Sequence, residues 1–253
     1  MSSRPVALVT GSSSGMGQAA AQLFAAHGYD LVVNYASRAD GAEETAKAVE
    51  AAGGRAAVVR CDVSDEPAVL EMVDTCRKEF ARLDVLVNAA GTTTMQPPRD
   101  LSATTMDEWD RIMAVNVKGP FLVTRACAGM LSDASGSVVN LGSLAGVRPT
   151  GVQPYAYAAS KGAVATLTKL LAANLAPKVR VNAVLPGWVA GTWMQDQLGD
   201  DYERLVERRA KLTPLRRVAT NEDVAETIYA VATSMHFVTG QLVAVDGGFV
   251  STT

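Results

Sequence analysis

Val6-Ala-Leu-Val-Thr10-Gly11-Ser-Ser-Ser14-Gly15-Met-Gly17 runs from an apolar, β-branched segment into a glycine-rich turn, and the amphipathic stretch Gln18–His27 follows directly. Glycines between a strand and a helix let the backbone turn tightly and approach a ligand closely. The helix start adds free N–H donors and a positive dipole end, which together suit a pyrophosphate. The spacing is Gly-x-x-x-Gly-x-Gly instead of Gly-x-Gly-x-x-Gly, which predicts a somewhat longer loop.

Outward from this turn, short apolar runs alternate with helical patterns. Strands are expected at Val6–Thr10, Leu31–Asn34, Ala56–Arg60, Val85–Asn88, Ser137–Leu141, Val179–Val184 and Leu242–Val245. Amphipathic stretches fall at Gln18–His27, Ala42–Ala52, Pro67–Phe80 and Thr105–Leu131. The strands are continuously apolar, as strands buried on both faces of a parallel sheet must be. The alternation predicts an α/β fold: one Rossmann-type, doubly wound parallel sheet of about seven strands, with helices on both faces. No repeat, low-complexity tract or linker divides the chain, so residues 1–253 are expected to form a single domain. The segment 188–217 lacks strand character and is rich in Trp, Met, Leu and charge; it suits a helical flap over a cleft.

Composition narrows the possibilities. The chain has 253 residues, 48% hydrophobic and 19% charged, with a net charge of −3. That balance gives no electrostatic case for nucleic acid or an anionic membrane surface. No apolar run is long enough to cross a bilayer. Cys61, Cys76 and Cys127 are odd in number and widely spaced, and the two histidines, His27 and His236, are far apart. Neither set suggests a disulfide framework or a metal site, and a cytoplasmic protein is expected.

A second stretch carries the chemistry. Tyr157-Ala-Ala-Ser-Lys161 places a phenol and an ammonium four residues apart, on one helix face. A nearby positive charge is expected to lower the phenol pKa from ~10, which makes the tyrosine a usable proton carrier. Tyr155 fails the same spacing test, because Ala159 stands four residues on.

With Asp62-Val63, Asn88-Ala-Ala-Gly91, Asn116, Ser143, Pro186-Gly187 and Val245-Asp-Gly-Gly248 in order at strand ends, the chain resembles the short-chain dehydrogenase/reductase family over nearly its whole length. The pattern is similar to 3-oxoacyl-carrier-protein reductases and glucose-dehydrogenase-like members. The resemblance implies a catalytic set of Asn116, Ser143, Tyr157 and Lys161. Hydride would pass between a nicotinamide and a carbonyl carbon while Tyr157 protonates the oxygen and Ser143 holds it. Lys161 would bond the nicotinamide ribose, and Asn116 would bend its helix and place a water that links Lys161 to solvent. Cofactor contacts are implied for Gly11, Ser13, Ser14, Gly15, Met16, Gly17, Asn34, Tyr35, Ser37, Arg38, Asp62, Val63, Asn88, Ala89, Gly91, Tyr157, Lys161, Pro186, Gly187, Val189 and Thr192. No metal is expected.

The end of the second strand reads Asn34-Tyr-Ala-Ser37-Arg38, with no carboxylate to hold a ribose diol. Asp30 sits at the wrong end of that strand. Ser37 and Arg38 can bond a 2′-phosphate, so NADP(H) is favoured; Ser14 stands where a basic residue would strengthen that reading, which keeps NAD(H) open. The substrate expected is a small ketone or secondary alcohol. By family analogy the chain would be a homotetramer or dimer. A non-catalytic nucleotide sensor on the same fold is the alternative.

Overall fold

The computed structural model describes residues 4–94, 101–149, 154–191, 194–195 and 198–252. Its strands are β1 (Val6–Thr10), β2 (Asp30–Tyr35), β3 (Ala56–Arg60), β4 (Val85–Asn88), β5 (Ser137–Leu141), β6 (Arg180–Pro186) and β7 (Leu242–Val245). They form one sheet in the order β3-β2-β1-β4-β5-β6-β7, every neighbouring pair parallel. Winding reverses between β1 and β4, and the crevice at such a switch point lies beyond the carboxyl ends of the strands.

Helices cover both faces. One layer comprises α1 (Gly15–Ala26), α2 (Ala39–Ala51) and α8 (Asn221–Thr233), whose Phe24, Val49 and Ile228 are fully buried against Ala7, Val9 and Leu31. The other comprises α3 (Glu66–Phe80), α5 (Gly119–Asp133) and α6 (Tyr155–Leu175), with Met72, Val123 and Leu131 packed on Leu8, Leu86 and Val138. Because the strands are buried from both sides, their sequences are continuously apolar.

The stretch Thr105–Leu131 is not one helix. It divides into α4 (Met106–Met113), a π-helical turn at Ala114–Lys118, and α5. Thr105 and Glu108 form a capping box at the start of α4. The widened turn carries Asn116 on its inner side, where the residue is 1% exposed. Such turns are uncommon and favour functional positions.

After β6 the chain leaves the sheet and returns beside its point of departure. Val189 bridges Ala219, the Ala190 N–H donates to Ala219, and the Ala219 N–H donates to Trp188. Between these ends lies α7 (Tyr202–Leu212), whose Arg209 guanidinium sits 4.9 Å from the Trp188 ring and 5.0 Å from that of Phe249. Phe249 begins the short α9 (Phe249–Thr252), so this excursion is pinned to the C-terminal segment by a cation–π sandwich. Among the described residues no helix is long and apolar enough to cross a membrane. Cys61, Cys76 and Cys127 are free and buried, and burial pushes the first two thiols up to about 11 and about 12.

Candidate active site

The glycine turn is built by close approach. Gly11 has φ +65°, and a Cβ there would lie 2.9 Å from Ala90 Cα; one on Gly17 would lie 2.4 Å from the Gly11 carbonyl oxygen. Side chains larger than hydrogen would therefore push the turn off β4 and off α1. Ser14 is the N-cap of α1 but makes no side-chain bond to it, and the first turn holds no acidic residue. The amides of that turn are left to an outside acceptor, which an anion would satisfy.

Two expected contacts prove to be supports. Asn34 was assigned to the cofactor, yet its Oδ1 accepts from the Gly11 N–H at 3.0 Å and its Nδ2 donates to the Cys61 carbonyl at 3.0 Å. The buried amide is consumed in holding the glycine turn to β3. Asn88 likewise turns into the core, donating to Thr124 Oγ1 at 3.1 Å and Asn140 Oδ1 at 2.9 Å. A buried amide needs such partners, and strand-end side chains alternate between cleft and interior. The Ala89 N–H is also taken, by Thr10 Oγ1 at 3.0 Å.

The remaining residues meet at the carboxyl edge of the sheet. Asp62 is exposed and accepts from Ser64 N–H and Oγ–H through one carboxylate oxygen. Val63 is buried against Gly119, where a Cβ would come within 2.7 Å of Val63 Cγ2. Ser13 is buried, Tyr35 is partly buried at the end of β2, and Ser37 and Arg38 are exposed at the start of α2. Pro186 ends β6 in register with Val245, and the Gly187 N–H donates to the Val245 carbonyl. Thr192 lies outside the described residues, as do Trp193 and part of the segment before Leu101.

Ser143, Tyr157 and Lys161 come together beside Asn116 and Gly91. Ser143 follows β5, and its Oγ accepts from the Ala145 N–H, which fixes a 3-10 turn at Leu144–Gly146. Lys161 is 5% exposed; its Nζ donates to the Leu141 carbonyl at 2.7 Å and lies 5.7 Å from the centre of the Tyr157 ring. A Cβ on Gly91 would lie 3.5 Å from Asn116 Oδ1 and 3.8 Å from Lys161 Nζ. The absence of a side chain there leaves a cradle between the two polar groups.

The electrostatics differ from the sequence expectation. Burial pushes the Tyr157 phenol above its ordinary value, and the neighbouring Ser143 hydroxyl pulls weakly the other way. Lys161 is itself desolvated and held down to about 8. With its ammonium turned to Leu141, it does not dominate the phenol; burial does. A test follows from the sign. Lys161 rises from about 8 when folded to 10.5 when unfolded, so across that window the unfolded chain binds the extra proton. Stability should therefore rise with pH between those values. Urea midpoints measured at pH 8 and 10 should show this rise, and the Lys161→Met variant should lose part of it.

Sequence reasoning passed over three groups. Ser160 Oγ accepts from Asn116 Nδ2 at 3.0 Å and donates to the Tyr157 carbonyl at 2.7 Å, so it couples the π-turn to the helix that carries the tyrosine. Its place next to Lys161 was the available signal. Thr92 brackets the Asn116 amide, its N–H donating to Oδ1 and its carbonyl accepting from Nδ2. Arg60 ends β3 opposite Tyr35, and its Nε–H donates to the Ala36 carbonyl at 3.2 Å. That reach across two strands is a matter of register, which single-sequence patterns do not supply.

Comparison with known proteins agrees with this geometry. The family model described as enoyl-(acyl carrier protein) reductase matches residues 11–250. A granaticin polyketide synthase component of Streptomyces violaceoruber, assigned as ketoacyl reductase 2, is 44% identical over 96% of this chain and 95% of its own. The 3-oxoacyl-[acyl-carrier-protein] reductase of Synechocystis is 38% identical over 97% and 96%. Among solved structures, a short-chain dehydrogenase/reductase from Burkholderia xenovorans superposes with a TM-score of 0.91 at 35% identity, covering 99% and 100% of the two chains. NAD+-bound xylitol dehydrogenase gives 0.87 at 28% identity, covering 96% and 98%.

Proposed function

The chain belongs to the short-chain dehydrogenase/reductase family, and from that premise we propose that it reduces a 3-oxoacyl thioester or related ketone with NADPH in preference to NADH. As a family member it is a nicotinamide-dinucleotide-dependent oxidoreductase that interconverts carbonyl and alcohol. The observation that carries the mechanism is the meeting of Ser143, Tyr157 and Lys161 at the edge of a glycine turn whose helix amides are uncapped.

The bound dinucleotide supplies or accepts the hydride. Tyr157 gives its proton to the carbonyl oxygen, and its raised pKa keeps it in the acid form through neutral pH. The Ser143 hydroxyl donates to the same oxygen as negative charge develops on it. Lys161 holds a positive charge in the cleft below about pH 8, against the Leu141 carbonyl. Asn116 holds the Thr92 segment and, through Ser160, the Tyr157 helix turn, so it positions the acid without touching substrate.

The dinucleotide preference rests on the end of β2. It offers Arg38 and the guanidinium of Arg60 bonded over Ala36, and no carboxylate to oppose a 2′-phosphate. Two cations at an exposed phosphate each contribute a charge-assisted bond, so Arg38→Gln with Arg60→Gln should lower kcat/KM for NADPH roughly tenfold or more and leave NADH within about twofold. Equal losses for both cofactors, or wild-type preference for NADH, would overturn the assignment.

The substrate class draws on the ketoacyl and 3-oxoacyl reductases among the relatives. NADPH consumption with 3-oxoacyl thioesters, diketones, simple ketones and an enoyl thioester tests it. The greatest kcat/KM should fall to the oxoacyl thioesters; a simple ketone outrunning them would remove the thioester assignment. A homotetramer or dimer is also proposed. It is supported by the apolar hollow of Met113, Val117, Phe121 and Leu167 on the outer side of the central helices, and a monomeric mass in solution would refute it.

A further inference from the structure

Asn221 opens α8, and its side chain stands between two loops that the sheet holds apart. A Cβ on Gly15, at the head of α1, would lie 3.9 Å from Asn221 Oδ1; one on Gly191, where the chain leaves β6, would lie 3.5 Å from Asn221 Nδ2. Both contacts are of ordinary van der Waals length, so the amide fits between the loops without strain. The adjoining groups are already committed. Thr220 and Asp223 satisfy each other in a capping box, and Arg217 chelates the Asp223 carboxylate. The Gly191 N–H donates to Tyr202 Oη at 3.3 Å. Among the described residues the Asn221 amide has no hydrogen-bond partner, and it is only partly buried.

The surroundings select an anion as the missing partner. α1 and α8 pack along the same face of the sheet and begin at the same edge of it, so two positive helix ends converge where Gly15 meets Asn221. The first turn of α1 has no capping side chain and no carboxylate. An amide can donate through Nδ2 while its oxygen turns away, and it brings no negative charge of its own.

We propose that Asn221 is a positioning residue for the dinucleotide. Its side-chain amide donates to the diphosphate bridge and clasps the glycine turn to the stem of the 188–219 excursion. This rests on the dinucleotide site described above and adds a contact from the far end of the chain, 204 residues beyond Gly17. It also gives the excursion a reason to respond to cofactor. The stem at Gly191 and the glycine turn share one side chain, so filling the site draws the two together.

Asn221→Asp separates this role from a structural one, because the two effects have opposite signs. A carboxylate in the first turn of α8 favours the helix dipole, so thermal stability should hold or rise. The same carboxylate opposes a diphosphate, so NADPH and ADP should bind at least about tenfold more weakly. AMP, which lacks the second phosphate, should lose no more than about threefold. Binding is read by NADPH fluorescence and by competition with ADP and AMP, without turnover. Asn221→Ala should weaken ADP by a few-fold and AMP little. ADP affinity unchanged in the Asp variant overturns the proposal, as does an equal loss for ADP and AMP. Failure of the wild-type chain to bind NADPH or ADP would instead refute the dinucleotide reading on which the proposal stands.

Discussion

Replacing Tyr157 with Phe should lower kcat for ketone reduction by about 10²- to 10⁴-fold, the range a positioned general acid supplies, while NADPH affinity stays within about twofold. The substitution removes one hydroxyl and keeps the ring packed at the head of α6, so α6 keeps its place and Lys161 its bond to Leu141. Single-turnover oxidation of NADPH measures the chemical step, and fluorescence titration measures binding. Retained chemistry in the Phe variant would remove Tyr157 from the mechanism. The sign of the pH dependence adds a second check. Burial raises the phenol pKa, so the acid form persists through neutral pH and reduction needs no ionisation. Alcohol oxidation requires the base form, and its rate should climb as pH rises toward the raised value. The Ser143 hydroxyl acts to lower that value, so Ser143→Ala should move the oxidation limb to higher pH.

Gly146→Ala should damage both fold and activity. Gly146 closes the 3-10 turn that Ser143 caps, and a Cβ on it would lie 2.3 Å from both the Lys161 carbonyl carbon and the Gly162 nitrogen. Every atom it meets is backbone, so no side chain can swing aside. The turn and α6 must separate, and with them Ser143 from Lys161. Overpacking of this kind costs about 1–3 kcal/mol, which lowers the thermal midpoint by several degrees and kcat in proportion to the lost alignment. Gly129→Ala is the control: it lies on the exposed side of α5, nothing stands within 4 Å of its Cβ, and it should stabilise by up to about 1 kcal/mol. Wild-type stability and turnover in Gly146→Ala would show that the two segments are not locked as the geometry requires.

Much of the site was legible because it is written in short range. Tyr157 and Lys161 sit four apart on one helix, and the glycine turn follows a strand within a dozen residues. Strand positions were legible too, since burial on both faces leaves a continuous apolar run; β2 and β6 grew by a residue or two at their ends. The Thr105–Leu131 pattern hid its break, because a π-turn keeps nearly the same apolar periodicity while widening one loop of the helix around Asn116. The roles of Asn34 and Asn88 were misjudged for a related reason. Both stand at the ends of strands that face a cleft, and only the three-dimensional neighbours reveal that their amides are consumed by Gly11, Cys61, Thr124 and Asn140.

The order of residues along the chain settled the doubly wound sheet, the glycine turn at its head and the pairing of a phenol with an ammonium. These depend on contacts within a few residues, or on a burial pattern repeated along each strand, and composition and spacing record both. Tertiary structure alone decided how strongly the pair interacts. Burial outweighs the lysine charge at Tyr157, and the lysine itself gives up hydration to bond the Leu141 carbonyl. It also decided which distant residues share the cleft, bringing Arg60 over Ala36, Gly146 against Lys161 and Asn221 between Gly15 and Gly191. Desolvation and long-range contact arise from how the layers close around the sheet edge, and that closure leaves no local spacing for a sequence pattern to show.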